Sequence, residues 1–185
     1  MRKNKTRDLC LCAVFAALTA VGAFIKIPVP VCPFTLQLLF TTLAGLLIGK
    51  KLGALSVAVY VIIGLLGVPV FTQGGGFGYV LQPTFGYLIG YIAGTYLTGA
   101  IAQGSKEPTF LRLLAASLAG LLVVYLFGMI YLYIICNYVL DAVYTVGYVV
   151  LYCFVLAVPG DIVLCGVASV IAKRLRPVLM KGEIM

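Results

Sequence analysis

Apolar stretches of 17 or more residues recur along the whole length of this chain, and they constrain its fold more than any other feature. As an α-helix, each stretch is long enough to cross a hydrocarbon core of roughly 30 Å. Of the 185 residues, 63% are hydrophobic and 10% are charged, whereas a soluble domain carries roughly 25% charged residues. No separate soluble domain fits between the stretches. The sequence therefore predicts one all-α integral membrane domain over residues 1–185.

The apolar stretches predict six membrane-spanning helices. The first follows a basic stretch, as the core of a secretory signal does, but its apolar run from Leu9 to Ile25 is longer than a usual signal core. Because five more runs follow it, we interpret it as the first spanning helix. We place the six spans near residues 8–26, 35–49, 52–68, 83–103, 111–135 and 149–172.

The basic residues test this layout independently. With the N-terminus inside, twelve of the thirteen Lys and Arg residues fall in cytoplasmic segments, and Lys26 alone falls outside. Such a positive-inside bias predicts that both termini are cytoplasmic, and it explains the net charge of +8 without nucleic acid. The cytoplasmic basic residues are Arg2, Lys3, Lys5, Arg7, Lys50, Lys51, Lys106, Arg112, Lys173, Arg174, Arg176 and Lys181.

The residue types that most often carry enzyme chemistry are scarce. The chain has no His, so the commonest general base and metal ligand is missing, and the phosphate-binding pattern G-x-x-x-x-G-K-[ST] does not occur. None of the six Cys residues forms a C-x-x-C pair, and only Cys32 and Cys136 fall in predicted outer segments. We interpret the cysteines as small apolar packing residues. The sequence therefore predicts no enzyme, no cofactor and no metal.

Two of the three predicted outer segments are unusual. Segments 27–34 and 69–82 are rich in Pro and Gly yet almost uncharged. The third segment, 136–148, is not rich in Pro and Gly. Irregular backbone at membrane depth is tolerated where it is buried in protein or lines a cavity. We therefore expect these two segments to fold back into the protein.

Asp161 is the most informative residue for function. It follows Pro159 and Gly160 well inside the last apolar run, where an ionisable side chain is expensive unless it is paired or hydrated. Pro159 should kink the helix where the carboxylate enters. The carboxylate either breaks the helix and is satisfied by nearby donors, or accepts from a ligand, and we favour the second interpretation.

The glycines of the second outer segment suggest an anion site. The loop 74–78 contains Gly74, Gly75 and Gly76, and it leads through Gln82 to Pro83, a residue suited to a first helical turn. Exposed N–H groups of glycines and of a helix N-terminus would suit a carboxylate. A flexible glycine hinge is the alternative.

Other candidates have two interpretations each. Tyr87 and Tyr91 share a helix face and either wall an apolar pocket or pack in the core, whereas the neighbouring glycines Gly86, Gly90 and Gly94 favour helix packing. Lys26 either snorkels at the interface or offers a countercharge to an anionic solute.

Two small-residue pairs lie in the first span. Ala13 pairs with Ala17, and Ala16 pairs with Ala20, each four residues apart. From spacing alone, packing within the chain and docking of a partner helix are equally plausible.

Several stretches together resemble a known family. They are Ile27–Pro30, Phe34–Gln37, Ala44–Gly49, Leu52–Ser56, Gly67–Phe71, the Gly-rich loop with Pro83–Tyr87, and Pro159–Asp161. Over essentially the whole chain the sequence resembles the BioY family, the biotin-specific S component of energy-coupling factor (ECF) importers.

The resemblance implies a fold and a function. It implies six helices that bind biotin near the external face of a prokaryotic cell membrane, under the loop between the first two helices. It also implies association with a transmembrane coupling subunit and two ATPase subunits, through the small-residue face with Ala13, Ala16, Ala17 and Ala20. Asp161 would contact the biotin head, and Phe34, Thr35 and Gln37 would belong to the same site.

The sequence departs from the family pattern near the predicted site. Many relatives have a Lys three residues after the Asp, whereas this chain has Leu164, and Gln82 stands where Gly is common. Lys26, the glycine-loop N–H groups or Gln73 are candidates to compensate. We expect Asp161 to accept from a ureido N–H of biotin, while loop 74–78 and the following helix terminus hold its carboxylate.

Three other functions are compatible with parts of the pattern. An S component for another vitamin would have the same fold and partners, and a ligand panel separates the two. A channel would need polar stripes on several helices, and a membrane-embedded thiol enzyme would need a reactive Cys near a base or a second Cys.

A cysteine-free variant tests the thiol enzyme. With all six Cys residues replaced by Ser or Ala, we expect ligand binding to persist, because the cysteines are predicted to serve only in packing. Equilibrium binding to the purified variant is the measurement, and complete loss of binding by a folded variant would favour thiol chemistry.

Overall fold

The structure is a computed structural model that describes residues 5–27, 34–105, 107–140, 142 and 144–181. It is mostly helical, with one small antiparallel hairpin in which Lys26 pairs with Thr35. Five of its helices are long and apolar enough to cross a membrane. In chain order, the elements are α1 (Lys5–Phe24), β1 (Lys26–Ile27), β2 (Phe34–Thr35), α2 (Gln37–Leu65), a 3₁₀ turn (Phe77–Leu81), α3 (Phe85–Gln103), α4 (Phe110–Tyr138), α5 (Val146–Val150), a π-helical turn (Leu151–Val155) and α6 (Val158–Lys181).

Helix α2 contains two of the predicted spans and reverses its direction at Gly49. Gly49 has φ 84° and ψ 178°, which no α-helix contains. Across the reversal, the Gln37 amide donates to the Tyr60 hydroxyl at 2.8 Å, although 23 residues of straight helix would span about 34 Å. The two halves of α2 therefore lie against each other as an antiparallel helical hairpin.

One end of the bundle collects arginines and both ends of the described chain. The Arg7 guanidinium near the start of α1 donates to the carbonyl of Leu179 in α6 at 2.8 Å. Arg176 of α6 donates to the carbonyl of Ala102 in α3 at 3.1 Å. The start of α1 and the end of α6 are therefore at the same end, which we call the basic end.

The glycines of α3 bring its backbone against α4. A Cβ on Gly90 would lie 2.8 Å from the carbonyl oxygen of Val124, and one on Gly94 would lie 2.7 Å from that of Gly120. Gly86 faces Tyr131 in the same way. The prediction that these glycines serve helix packing is confirmed.

The last predicted span, 149–172, lies within one long helical stretch, Val146–Leu179, that is irregular before Pro159. The π-helical turn and a short turn at residues 156–157 precede α6, so Pro159 stands in the first turn of α6, where its missing N–H costs nothing. The irregularity therefore comes before the proline. Cys136, which was predicted to lie in an outer segment, stands in α4, because that helix extends to Tyr138, and its thiol is buried. Cys32 lies outside the described residues.

Substituting one packing glycine and one open glycine tests the close contact between α3 and α4. We expect Gly90→Ala to lower the free energy of unfolding by about 1–3 kcal/mol, because its methyl group would overpack against Val124. Gly166→Ala in α6 is the control, since its Cβ would meet nothing within 4 Å. Thermal unfolding of the detergent-purified variants is the measurement, and equal melting temperatures would contradict the packing.

Candidate ligand-binding site

The loop after α2 folds back over the end of the bundle opposite the basic end. Phe71 is 1% exposed, and its ring contacts those of Tyr60 and Tyr79 at centroid distances of 5.5 and 4.5 Å. Gly64 leaves room for this ring, because a Cβ there would collide with it. The segment 69–82 is therefore anchored in the protein by the buried rings of Phe71 and Tyr79, in agreement with the predicted fold-back, whereas Phe77 and Leu81 are exposed.

Two adjoining cavities open beneath this loop and the β1–β2 hairpin. They enclose about 370 and 350 Å³ of unfilled space, including the parts open to the outside. Thr35, Tyr87 and Tyr91 line both cavities, so the two adjoin and are together called the pocket. The cavity at the loop residues Thr72 and Tyr79 is called the outer one, and the cavity at Asp161 the inner one. The outer cavity is also lined by Gln37, Thr72, Tyr79, Thr84 and Leu88, and the inner one by Phe34, Leu38, Val124, Tyr125, Ala157 and Asp161.

The inner cavity contains the buried carboxylate. Asp161 is 8% exposed and lies in the first turn of α6, where the helix dipole favours negative charge. The hydroxyl of Tyr125 on α4 donates to its Oδ2. Gly160 lies under the ring of Phe34, since a Cβ there would be 2.8 Å from that ring. The Pro-Gly-Asp sequence thus brings the hairpin close to the carboxylate.

The outer cavity contains hydroxyl groups that the sequence did not identify. The hydroxyls of Thr72 and Tyr79 share a hydrogen bond of 2.9 Å, and those of Tyr79 and Thr84 share one of 3.4 Å. Thr35, which the resemblance did assign to the site, lines the same cavity. Only the fold of the loop brings these residues together, and no spacing in the sequence marks them.

Lys26 and Gln37 are held in place by other parts of the chain. The Lys26 ammonium donates to the carbonyl of Thr72 at 2.7 Å and so ties the hairpin to the glycine loop. Gln37 lines the outer cavity, and its amide donates to Tyr60, whose hydroxyl donates to the carbonyl of Val70. Both residues therefore fix the loop over the pocket.

Two members of the predicted cradle of glycine N–H groups already donate to carbonyls of the chain itself. The N–H of Gly74 donates to Phe71 at 3.2 Å, and that of Gly76 donates to Gly64 at 2.7 Å. Both residues have positive φ, 117° and 104°, so glycine is needed for the path of the loop. Gly75 is needed for space, because a Cβ there would collide with the carbonyl of Val68.

The terminus of α3 offers few free donors as well. The N–H of Phe85 donates to Gln82 at 3.0 Å, and that of Tyr87 donates to Thr84 at 3.1 Å. The side chains of Gln73 and Gln82 are exposed, and neither residue lines the cavities. Gln73 and Gln82 therefore lie outside the lining of both cavities, and their contact with a ligand stays a prediction.

The four alanines of the predicted partner face on α1 differ in their exposure. Ala16 is buried and Ala20 half-buried in the chain's own core, near Tyr60 and Leu88. Ala13 and Ala17 are exposed. The prediction of one four-alanine docking face was wrong for Ala16, because the helical period of 3.6 residues separates the two pairs onto adjacent faces.

The fold and the pocket together define a small helical membrane protein that has several helices able to span a membrane and a candidate ligand pocket at one end. A model described as BioY family matches residues 1–181. The chain belongs to the BioY family, which confirms the resemblance found in its sequence.

Two relatives and one solved structure illustrate the match. The chain is 44% identical to the probable biotin transporter BioY of Lysinibacillus sphaericus, over 99% of this chain and 93% of that protein. It is 39% identical to the biotin transporter BioY of Thermotoga maritima, over 92% of this chain and 96% of that protein. It is 26% identical to the S-component for biotin from an ECF-type ABC transporter, with a TM-score of 0.81 over 96% of this chain and 94% of that chain.

Removing the charge of Asp161 tests whether this buried charge lowers the free energy of unfolding of the ligand-free protein. We expect Asp161→Asn to raise the melting temperature of the ligand-free protein by about 2–4 °C for each kcal/mol of unfolding free energy gained, because a buried charge is costly and the amide oxygen can still accept from Tyr125. Glu107→Gln, at an exposed carboxylate, is the control. A large loss of stability at position 161 alone would mean that the charge holds the fold together.

Proposed function

We propose that this chain is the S component that captures biotin for an ECF-type importer. The names of its relatives, the structural match and the pocket beneath the loop all support this function. The observation that carries it is the buried Asp161 carboxylate in an aromatic-lined pocket, because such sites bind small molecules through a few placed polar groups. The relatives are transporters, in agreement with a chain that is no enzyme.

The chemistry of biotin matches the two cavities. The ureido ring presents two N–H donors, which suit Asp161 in the inner cavity. The ring sulfur and aliphatic chain suit the walls formed by Tyr87 and Tyr91. The carboxylate of biotin then reaches the outer cavity, where the side chains of Thr35 and Thr84 line the wall in place of the predicted glycine cradle. No cofactor is required for this capture.

The proposed topology has six membrane-spanning helices and both termini in the cytoplasm. The reversal of α2 at Gly49 supports six spans instead of five. The hydrogen bond between Arg7 and Leu179 supports termini on one side, and the positive-inside rule assigns the basic end to the cytoplasm. The pocket then opens toward the outside of a prokaryotic cell membrane.

The proposed partners are a transmembrane coupling subunit and two ATPase subunits. This chain contains no phosphate-binding motif of its own, so the energy for import has to come from other subunits. The exposed Ala13 and Ala17 on α1 are the candidates for close approach of a partner helix, because small side chains let helix backbones meet.

Equilibrium binding of labelled biotin to detergent-purified protein tests the proposed function. We expect tight binding that desthiobiotin displaces and that thiamine and riboflavin do not. Asp161→Asn should weaken binding about ten- to a hundredfold, because a hydrogen bond to a charged group contributes about 1.5–3 kcal/mol. Glu107→Gln is the control.

The other outcomes discriminate clearly. Binding of another vitamin without biotin would keep the importer class and change its substrate. Unchanged affinity of Asp161→Asn would remove the carboxylate from the site. If the methyl ester of biotin competed as well as biotin itself, the assignment of the carboxylate to the outer cavity would be incorrect.

A further inference from the structure

Asp161 is buried without a cationic partner. Among the described residues, no Lys or Arg forms an ion pair with it, and the residue one turn further along α6 is Leu164. A carboxylate with this burial needs hydrogen-bond donors to remain ionised. The donor that the chain supplies is the hydroxyl of Tyr125, which bonds to Oδ2.

The ring of Tyr125 is fixed by aromatic neighbours on two sides. Tyr87 of α3 contacts it edge-on at a centroid distance of 6.0 Å, and Phe154 of the π-helical turn contacts it edge-on at 5.4 Å. Such T-shaped contacts hold a ring in one orientation, and the Tyr125 side chain is buried. Its hydroxyl is therefore aimed at Asp161 before any ligand arrives.

We propose that Tyr125 is a positioning residue of this site, whose hydroxyl stands in for a cation and keeps Asp161 an acceptor for ligand N–H groups. Tyr125 gives its proton to Oδ2, while Oδ1 has no hydrogen-bond partner among the described residues. An ionised carboxylate has acceptors only. The inner cavity therefore selects ligands with N–H donors. A ligand that offers only acceptors would leave both its own acceptor and Oδ1 of Asp161 without a hydrogen bond.

The identity of the ligand in this role rests on the proposed function, whereas the hydrogen bond between Tyr125 and Asp161 is present without a ligand. Two measurements therefore test the ligand and the hydrogen bond separately. One follows biotin affinity, and the other follows the Asp161 carboxylate in the ligand-free protein.

The first measurement is a double-mutant cycle of biotin binding. We expect Tyr125→Phe to weaken biotin binding about ten- to a hundredfold, the effect of losing one hydrogen bond to a charged group. In the Asp161→Asn background the same change should have less than about a threefold effect, because Tyr125 acts through the charge. Equal effects in both backgrounds would overturn the proposal and leave Tyr125 a purely structural residue.

Tyr133→Phe is the matched control for the cycle. Tyr133 lies on the same helix, two turns beyond Tyr125, and does not line either cavity. We expect its affinity for biotin to equal that of the unmodified protein. A loss as large as that of Tyr125→Phe would also overturn the proposal.

The second measurement is infrared spectroscopy of ligand-free protein labelled with ¹³C at the aspartate carboxyl groups. The chain has three aspartates, Asp8, Asp141 and Asp161, so the Asp161 band is identified by its loss in Asp161→Asn. Tyr125→Phe should shift this band, and Tyr133→Phe should leave it in place. An unmoved band in Tyr125→Phe would overturn the positioning role. If the unmodified protein failed to bind biotin, the proposed function would fall, while the infrared result would still decide the role of Tyr125.

Discussion

The structure depends on one constraint, which is that every backbone polar group at membrane depth has to find a partner within the protein. This constraint makes helices of the apolar stretches, and it permits irregular backbone only where other parts of the chain satisfy it. The loop after α2 obeys it, because its glycine N–H groups donate to carbonyls of α2 and of the loop itself. Tyr131 of α4 likewise donates to the carbonyl of Val80 in the 3₁₀ turn. The loop is thus a folded cover of the pocket.

The two ends of the bundle solve this constraint differently. At the basic end, arginine side chains donate to the last carbonyls of helices, as Arg112 and Arg176 do for Ile101 and Ala102. At the pocket end, the hydroxyl of Tyr60 donates to the carbonyl of Val70 and in turn accepts from the amide of Gln37. The ammonium of Lys26 donates to the carbonyl of Thr72 at the same end. Within the described residues of this weakly charged end, Asp161 has a hydrogen bond from Tyr125 and no ion pair with a basic side chain.

Helices α3 and α4 pack with their backbones in close contact. Gly86, Gly90 and Gly94 let α3 approach α4 with backbone against backbone, since hydrophobic burial gives little drive for helix association in lipid. The same contact brings the ring of Tyr87 on α3 edge-on against that of Tyr125 on α4 in the lining of the inner cavity. The packing of these two helices therefore also fixes the shape of that cavity.

The sequence by itself determined the membrane class, the helical content and the inward loop, because these follow from local composition. It also marked Asp161 as a charge that needs a partner within an apolar run, and the structure gives that carboxylate a hydrogen bond from Tyr125. The sequence also contained the motifs of the BioY family over its whole length. Tertiary structure alone decided which side chains meet. Tyr125 lies 36 residues from Asp161, and Thr72, Tyr79 and Thr84 converge through the path of the loop. The glycines looked like ligand donors in the sequence, yet they serve the backbone, because a hydrogen-bond donor is available to a ligand only where the fold leaves it unused.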